Sequence, residues 1–349
     1  MAKWLALFLG AGALGYLFAV AHVPVGWLLG PMLAGILFAA RAGGPRPLPP
    51  AYQAVGQAVL GLSTGISFPL ATLKLAAVHG LPLLLAVVIT GGLSLLNGYL
   101  LWKWAGVDQA TGFMGSLPGA ASSMVAMSDE VGADAVVVAI LQYLRLILVM
   151  FLAPLAVGAV FPAQAAAVAG ASSAVVALPP AAWWLNLLVL VVAGLLGVWG
   201  GQRIHIPSPT FLGPFLAALA FSWTLPFQFS LPAPIFDMGM LLVGLSIGIR
   251  FDVPMARKLG KVALIESGLV IALIGICLGL GYLFHLGTGV DTMTAVLGST
   301  PGGMDVMVAS ALELGADPGL VLAMQMTRWF MVLLIGPTVA VRLLRRKTA

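Results

Sequence analysis

The sequence predicts an all-α polytopic membrane protein built as two inverted five-helix repeats, about ten spanning helices in all, with one re-entrant helical hairpin per repeat. Three observations carry that expectation. First, 61% of the residues are hydrophobic, 8% are charged and the mean hydropathy is +1.10, which leaves too little polar surface for a soluble chain of 349 residues. Second, residues 22–154 recur at 205–337 with a constant offset of 183 and no gap. Third, Lys and Arg gather in short connections at one end of the apolar runs, which is topology information for insertion.

The repeat is carried by residues that chance similarity between apolar stretches would not keep. His22-Val23-Pro24 matches His205-Ile206-Pro207, and Leu29-Gly30-Pro31 matches Leu212-Gly213-Pro214. Gly61-Leu62-Ser63 with Gly65 matches Gly244-Leu245-Ser246 with Gly248. Gly132-Ala133-Asp134 matches Gly315-Ala316-Asp317, and Gln142, Arg145 and Pro154 match Gln325, Arg328 and Pro337. The unit far exceeds the roughly 20–50 residues of a solenoid repeat, so each copy is a bundle in its own right.

In chain order, Lys3 and the apolar run Trp4 to Val20 resemble a signal peptide, but the run aligns with 183–201 in the second copy, which favours a retained helix. Apolar runs follow at 24–40, 53–71, 80–104 and 135–159. Their counterparts are 207–223, 234–250, 261–285 and 318–342. Each has about the ~17–25 residues that a spanning helix needs. Asp134 and Asp317 stand as N-caps of the last run in each copy, the second reinforced by Pro318. Between the fourth and fifth runs lie stretches of another kind, 109–130 and 292–313, broken by Leu117-Pro118-Gly119 and Thr300-Pro301-Gly302-Gly303.

Whether those broken stretches cross the bilayer decides the architecture. If they do not, one face receives Lys3, Arg41, Arg46, Lys103, Arg203, Arg250, Arg257, Lys258, Lys261 and the basic C-terminal tail, and the other receives Lys74 alone. If they do, the 250–261 cluster and the tail fall on opposite faces, against the positive-inside bias. The stretches are therefore expected as re-entrant hairpins, with both termini cytoplasmic and the copies inverted. The domains follow as 1–160, an external linker 161–182 and 183–349.

Pro and Gly interrupt backbone hydrogen bonding and leave free N–H groups at the start of a second half-helix, which attracts anions. The candidate substrate-binding residues of the first hairpin are Ser116, Pro118, Gly119, Ser122 and Ser123. Those of the second are Ser299, Thr300, Pro301, Gly302 and Gly303. A plain helix kink is the competing account. Arg145 and Arg328 lie about 15 Å into their helices, near the middle of a ~30 Å core, so each must face the bundle and hold a partner. With Gln142 and Gln325 three residues earlier on the same face, they form a second set of candidates for a carboxylate or similar anion. Equally, each Arg could satisfy carbonyls of its neighbouring hairpin.

Asp305 and Glu266 have no acidic counterpart in the first copy, where Ser122 and Leu83 stand, and are candidates to carry a coupling proton or sodium ion. Asp305 also suits a helix cap or a partner for Arg328. Glu266, close to the cytoplasmic basic cluster, is expected at the interface. Glu130 and Glu313 are expected in water-exposed turns, and His22 and His205 in loops. Cys277 is the single cysteine, the four histidines are scattered, and the fifteen methionines read as packing, so no metal site, cofactor or enzymatic nucleophile is expected.

The Gly-Pro of the second run, Ser-Leu-Pro-Gly at 116–119, Ser-Thr-Pro-Gly-Gly-Met-Asp at 299–305 and the Gly-Ala-Asp ahead of a helix with Gln and Arg resemble the bacterial AbrB membrane-protein family. The resemblance covers nearly the whole chain, duplication included. It brings two labels, ammonia monooxygenase and regulator of gene expression, and is distinct from the small DNA-binding regulator of the same name. A monooxygenase implies a metal with several His or carboxylate ligands, a set this sequence does not supply. A regulator without a DNA-binding module implies an indirect effect with no direct nucleic-acid contact.

The leading expectation is a secondary transporter of a small anionic solute in the bacterial inner membrane, partnered by that solute and by lipid and open to homo-oligomer formation. A membrane sensor or regulatory protein is the alternative. An ammonia monooxygenase-like metal enzyme ranks last.

Overall fold

A computed structural model of the protein describes residues 2–23, 25–68, 78–118, 131–160, 181–206 and 208–345, with the single positions 74, 124 and 128. Among the described residues there is no strand; the elements are helices joined by short connections. In the first half these are α1 (Ala2–Val20), α2 (Gly26–Ala42), α3 (Pro50–Ile66), α4 (Gly80–Leu100), α5 (Gln109–Ser116) and α6 (Ala135–Val160). Helix α4 continues through a π turn, Leu101–Ala105. The second half contains α7 (Trp183–Arg203), α8 (Pro209–Thr224), α9 (Ala233–Gly248), the short α10 (Val253–Lys258), α11 (Gly260–Thr288), α12 (Thr292–Ser299), α13 (Met304–Leu314) and α14 (Pro318–Arg345).

Four helices are long and apolar enough to cross a membrane: Gly80–Ala105, Ala135–Val160, Trp183–Arg203 and Gly260–Thr288. Shorter apolar helices run over Trp4–Val20, Gly26–Ala42 and Ala233–Gly248. The surface matches that character. Leu9, Leu195 and Leu264 are 66%, 69% and 75% exposed, and Trp183, Trp184 and Trp199 project near the ends of α7 as interfacial aromatics do. Polar side chains go the other way, with Thr90, Ser94, Asn97, Gln142, Arg145, Glu266, Gln325 and Arg328 buried.

The helices pack in two bodies that do not follow the sequence halves. One joins α1, α2 and α3 to α7, α8 and α9; the other joins α4, α5 and α6 to α11, α12, α13 and α14. Glycine decides the first grouping. Gly61 and Gly65 of α3 lie against the backbone of α8 at Phe211 and Phe215, and Gly244 and Gly248 of α9 lie against the backbone of α2 at Leu28 and Met32. A Cβ at any of the four would collide with a main-chain oxygen, so these paired Gly-x-x-x-Gly faces permit the close approach.

Contacts advance together along two of these pairs. On α3 and α8 they run from Gln57–Thr210 through Gly61–Phe211 and Gly65–Phe215 to Phe68–Trp223. On α2 and α9 they run from Leu28–Gly244 to Met32–Gly248 and Gly35–Ile249. By contrast α3 and α9 are opposed, since Gly56 meets Leu242 and Val243 while Gly239 meets Val59. The largest apolar cluster fills the seam between the bodies, with Leu28, Met32, Leu60 and Phe211 on one side and Val149, Met150, Val157, Val306 and Val308 on the other.

His22 and His205, expected in loops, have a more definite role. Both adopt a left-handed backbone, φ 52° and 53°, at the ends of α1 and α7, where Val23 N–H returns to Phe18 O and Ile206 N–H to Gly201 O. The turn satisfies carbonyls the helix end leaves open.

Candidate functional site

Each Pro-broken stretch begins with an Asp cap tied to the long helix after it. Asp108 accepts from Thr111 N–H at 2.8 Å, and Thr111 Oγ1 accepts the N–H of Asp134 at 2.8 Å. Asp134 in turn caps α6 through Val136 and Val137 N–H. The second half repeats this: Asp291 accepts from Thr294 N–H at 3.0 Å, Thr294 Oγ1 accepts Asp317 N–H at 2.8 Å, and Asp317 caps α14 through Gly319 and Leu320 N–H. The hydroxyl thus ties the start of the broken stretch to the start of the long helix after it. Sequence reasoning identified Asp134 and Asp317 as caps but missed the matched Asp-x-x-Thr at 108–111 and 291–294, a capping signal that recurs at the same offset.

The breaks follow from proline chemistry. In α5 the carbonyl of Met114 would accept from residue 118, and in α12 that of Leu297 would accept from residue 301; both positions are Pro and have no N–H. Gln142 Nε2 fills the first vacancy, donating to Met114 O at 2.7 Å and to Leu117 O at 3.0 Å. Gln325 Nε2 fills the second, donating to Leu297 O and Thr300 O, each at 3.1 Å. The glutamine amide stands in for the proline's missing donor.

Beside each glutamine an arginine closes the grip. Arg145 Nη1 donates to Ser116 O at 2.5 Å, and its Nη2 donates to Leu117 O at 3.2 Å and to Gln142 Oε1 at 2.6 Å. Arg328 Nη1 donates to Thr300 O at 3.1 Å, and its Nη2 donates to Gly302 O at 3.4 Å and to Gln325 Oε1. Both guanidinium groups therefore sit at the carbonyl-rich, electronegative end of a half-helix, where a cation is favoured. Each Arg thus satisfies carbonyls at the break beside it, one of the two roles open to it from sequence, and the two roles are compatible.

The hydroxyl candidates are occupied within their own helices. Ser116 donates to Phe113 O, Ser299 to Ala295 O and Thr300 to Val296 O, and all three are buried. Pro118 and Pro301 are buried at the breaks, with Gly302 and Gly303 half-buried beside the second. Gly119, Ser122, Ser123 and Glu130 lie outside the described residues. Asp305 falls in the first turn of α13, where its backbone is described and its side chain is not.

Glu266 is 0% exposed, on α11, which packs on α6 and α4. Glu313 is at the surface as expected, yet it also accepts the N–H of Val25 at 2.7 Å, linking α13 to the start of α2. A crevice of about 590 Å³ opens between the two bodies, with Ala135, Ala139 and Tyr143 of α6 facing Pro47, Arg250 and Asp252.

The family model described as transition state regulatory protein AbrB matches residues 27–344, spanning both hairpins and both Gln–Arg grips. The chain belongs to the AbrB family. Within AbrB, the chain is 34% identical over 325 residues to the Escherichia coli (strain K12) protein named "Putative regulator AbrB", covering 93% of this chain and 91% of that one. It is 23% identical over 364 residues to the protein of Bacillus subtilis (strain 168) named "Uncharacterized protein YhjN", covering 96% and 91%. No solved structure matches this AbrB chain.

Proposed function

We propose that this AbrB protein is a secondary transporter of a small anionic solute, working by alternating access around its two hairpins. The observation that carries the proposal is the matched pair of Pro-broken half-helices, each gripped by a buried Gln and Arg. Interrupted helices at corresponding positions of two halves, with unwound backbone deep in the protein, belong to transporter designs.

Helix directions support an inverted duplication. Since α3 runs alongside α8 and against α9, and α9 runs alongside α2, helices α2 and α8, which occupy equivalent places in the repeat, run in opposite directions. A parallel duplication would put Arg250 and Gln53 on opposite faces, yet Arg250 Nη2 donates to Gln53 Oε1 at 2.5 Å. Five spans and one re-entrant hairpin per copy, about ten spans in total, account for these contacts. The same scheme places both termini and the 250–261 cluster in the cytoplasm of a bacterium, with the protein in its inner membrane.

In that frame the Tyr143–Arg250 crevice opens to the cytoplasm, while the apolar seam of Val149, Val157, Leu28 and Val306 closes the outer half. The state is inward-facing. Asp305 and Glu266 serve as coupling groups, and no cofactor or catalytic nucleophile takes part. Lipid surrounds the chain, and assembly with further copies is compatible with it. The test is reconstitution in proteoliposomes with a panel of small carboxylates, phosphate and sulfate, reading solute-driven current. Wild type should respond to at least one, and Asp305→Asn should not. Neither binding nor current across the panel overturns the proposal.

The relative's regulator name favours a second reading, a membrane sensor whose effect on gene expression is indirect. It predicts a solute that stabilises the protein without crossing the bilayer. A metal enzyme would instead hold stoichiometric metal on elemental analysis of purified protein.

A further inference from the structure

Among the described residues six buried side-chain polar atoms meet no hydrogen-bond partner; one is Thr292 Oγ1, and the other five belong to Glu266 and two residues that act on it: Asn97 Nδ2 and Oδ1, Arg145 Nε, and Glu266 Oε1 and Oε2. They come from α4, α6 and α11, and two of these helices reach the first break, α6 through Arg145 on Ser116 O and α4 through Gly98 against Ser116 Oγ. All three side chains are at least nine-tenths buried, with exposures of 4%, 2% and 0%. Asn97 lies close enough to polarise the Glu266 carboxyl without a well-directed bond, and Arg145 is the charge that faces it. Lys103, Arg257, Lys258 and Lys261, on the surrounding elements, are exposed and turn outward.

A buried polar atom without a partner is destabilising, so a cluster of them requires an account. The symmetry supplies one. At the offset of 183, Asn97 corresponds to Leu280 and Glu266 to Leu83, whereas Arg145 corresponds to Arg328. Both arginines grip a hairpin, so the grip itself does not need the Asn and Glu. They are an addition to one half.

We propose that Glu266, with Asn97 beside it, is a proton-binding site whose protonation state is transmitted through Arg145 to the first hairpin. A proton fits the site better than sodium does. The three side chains offer at most three oxygens, and a metal ion would sit against the Arg145 guanidinium, whereas a proton needs one oxygen and removes an unpartnered charge. In the acid form, the Glu266 O–H can donate to Asn97 Oδ1. On release, the proton leaves to water and the carboxylate stands opposite Arg145 Nε, competing with Ser116 O and Leu117 O for the guanidinium and loosening the break. The use of this site in coupling rests on the transport reading; proton binding does not.

Infrared difference spectra of the purified full chain between acid and alkaline buffers, in choline chloride and in sodium chloride, test the site. A protonated-carboxyl C=O band should titrate in wild type, vanish in Glu266→Gln and shift in frequency in Asn97→Leu, a change the other half already tolerates as Leu280. Sodium should leave it unaltered. Hydrogen exchange at 113–117, corrected for intrinsic pH dependence, should accelerate at alkaline pH in wild type and stay flat in Glu266→Gln. No band assignable to Glu266, or one erased by sodium, overturns the proton site and leaves the transport proposal standing. A titrating band without pH-dependent exchange overturns the link through Arg145. Transport failing in every solute with the band intact removes the transport proposal alone.

Discussion

If Gln142 replaces the donor that Pro118 lacks, removing the glutamine and restoring the donor should compensate. Gln142→Leu abolishes three hydrogen bonds: Nε2 to Met114 O, Nε2 to Leu117 O and Arg145 Nη2 to Oε1. Polar contacts between helices in a membrane bundle average about 0.6 kcal/mol, and two of these three bonds leave α6 while the third lies within it, so the direct loss is about 1–2 kcal/mol. Leu117 O keeps Arg145 at 3.2 Å, whereas Met114 O is left bare, which raises the cost toward about 3 kcal/mol. In Pro118→Ala the new N–H stands four residues after Met114 and can reach its carbonyl, so the double variant should recover about 1 kcal/mol. Reversible unfolding in mixed micelles measures the cycle, and hydrogen exchange at 113–117 locates it. Additivity within about 0.5 kcal/mol would refute the substitution of glutamine for the missing N–H. Gln325→Leu with Pro301→Ala, acting on Leu297 O, repeats the experiment in the other half.

Gly244→Ala and Gly61→Ala should each lower stability by about 1–3 kcal/mol because the added Cβ meets backbone, while Gly268→Ala, with open space around it, should be neutral or stabilising. Thermal unfolding of the three variants side by side separates packing from helix propensity. Thr111→Val removes the acceptor for Asp134 N–H and should free the start of α6, seen as faster exchange at 134–137 with an effect of about 1–2 kcal/mol. Glu313 lies outside the spanning helices; although the residue as a whole is exposed, its carboxyl is turned in against the start of α2, and desolvation there pushes its pKa up to about 7 despite the Val25 and Gly26 N–H bonds that pull it down. The native state then binds more protons than the unfolded chain between the ordinary carboxyl value of 4.5 and about 7, so stability should fall as pH rises through that window. Glu313→Gln should flatten the profile, and an unchanged slope would exclude this group as its source.

Much of the helix order was legible from apolar run length. The runs at 80–104, 135–159 and 183–201 became helices at 80–105, 135–160 and 183–203, because length and composition are local properties. The placement of the breaks was legible too, since Pro lacks a donor wherever it stands. The partner of Arg145 was not. A buried guanidinium donates to a carboxylate, a carbonyl or a solute equally well on sequence grounds, and which one lies within hydrogen-bond reach depends on how α5 meets α6. The burial of Glu266 was not legible either, since enclosure by other helices is a property of packing. Asn97 stands in an apolar run opposite Leu280 of the repeat, and nothing in the sequence signals the carboxyl it meets. The assembly of the glycine faces across halves had no sequence signal beyond their recurrence.

That last arrangement bears on how the protein is made. Helices α2 and α3 leave the ribosome long before α8 and α9, yet the carbonyls of Leu28 and Met32 and the bare faces of Gly61 and Gly65 find their partners only there. The early half must wait in the lipid with its closest-packing surfaces uncovered. A fragment ending at residue 160 is therefore expected to insert but not to consolidate, and two half-length fragments produced together should assemble with each other, since each supplies the surfaces the other lacks.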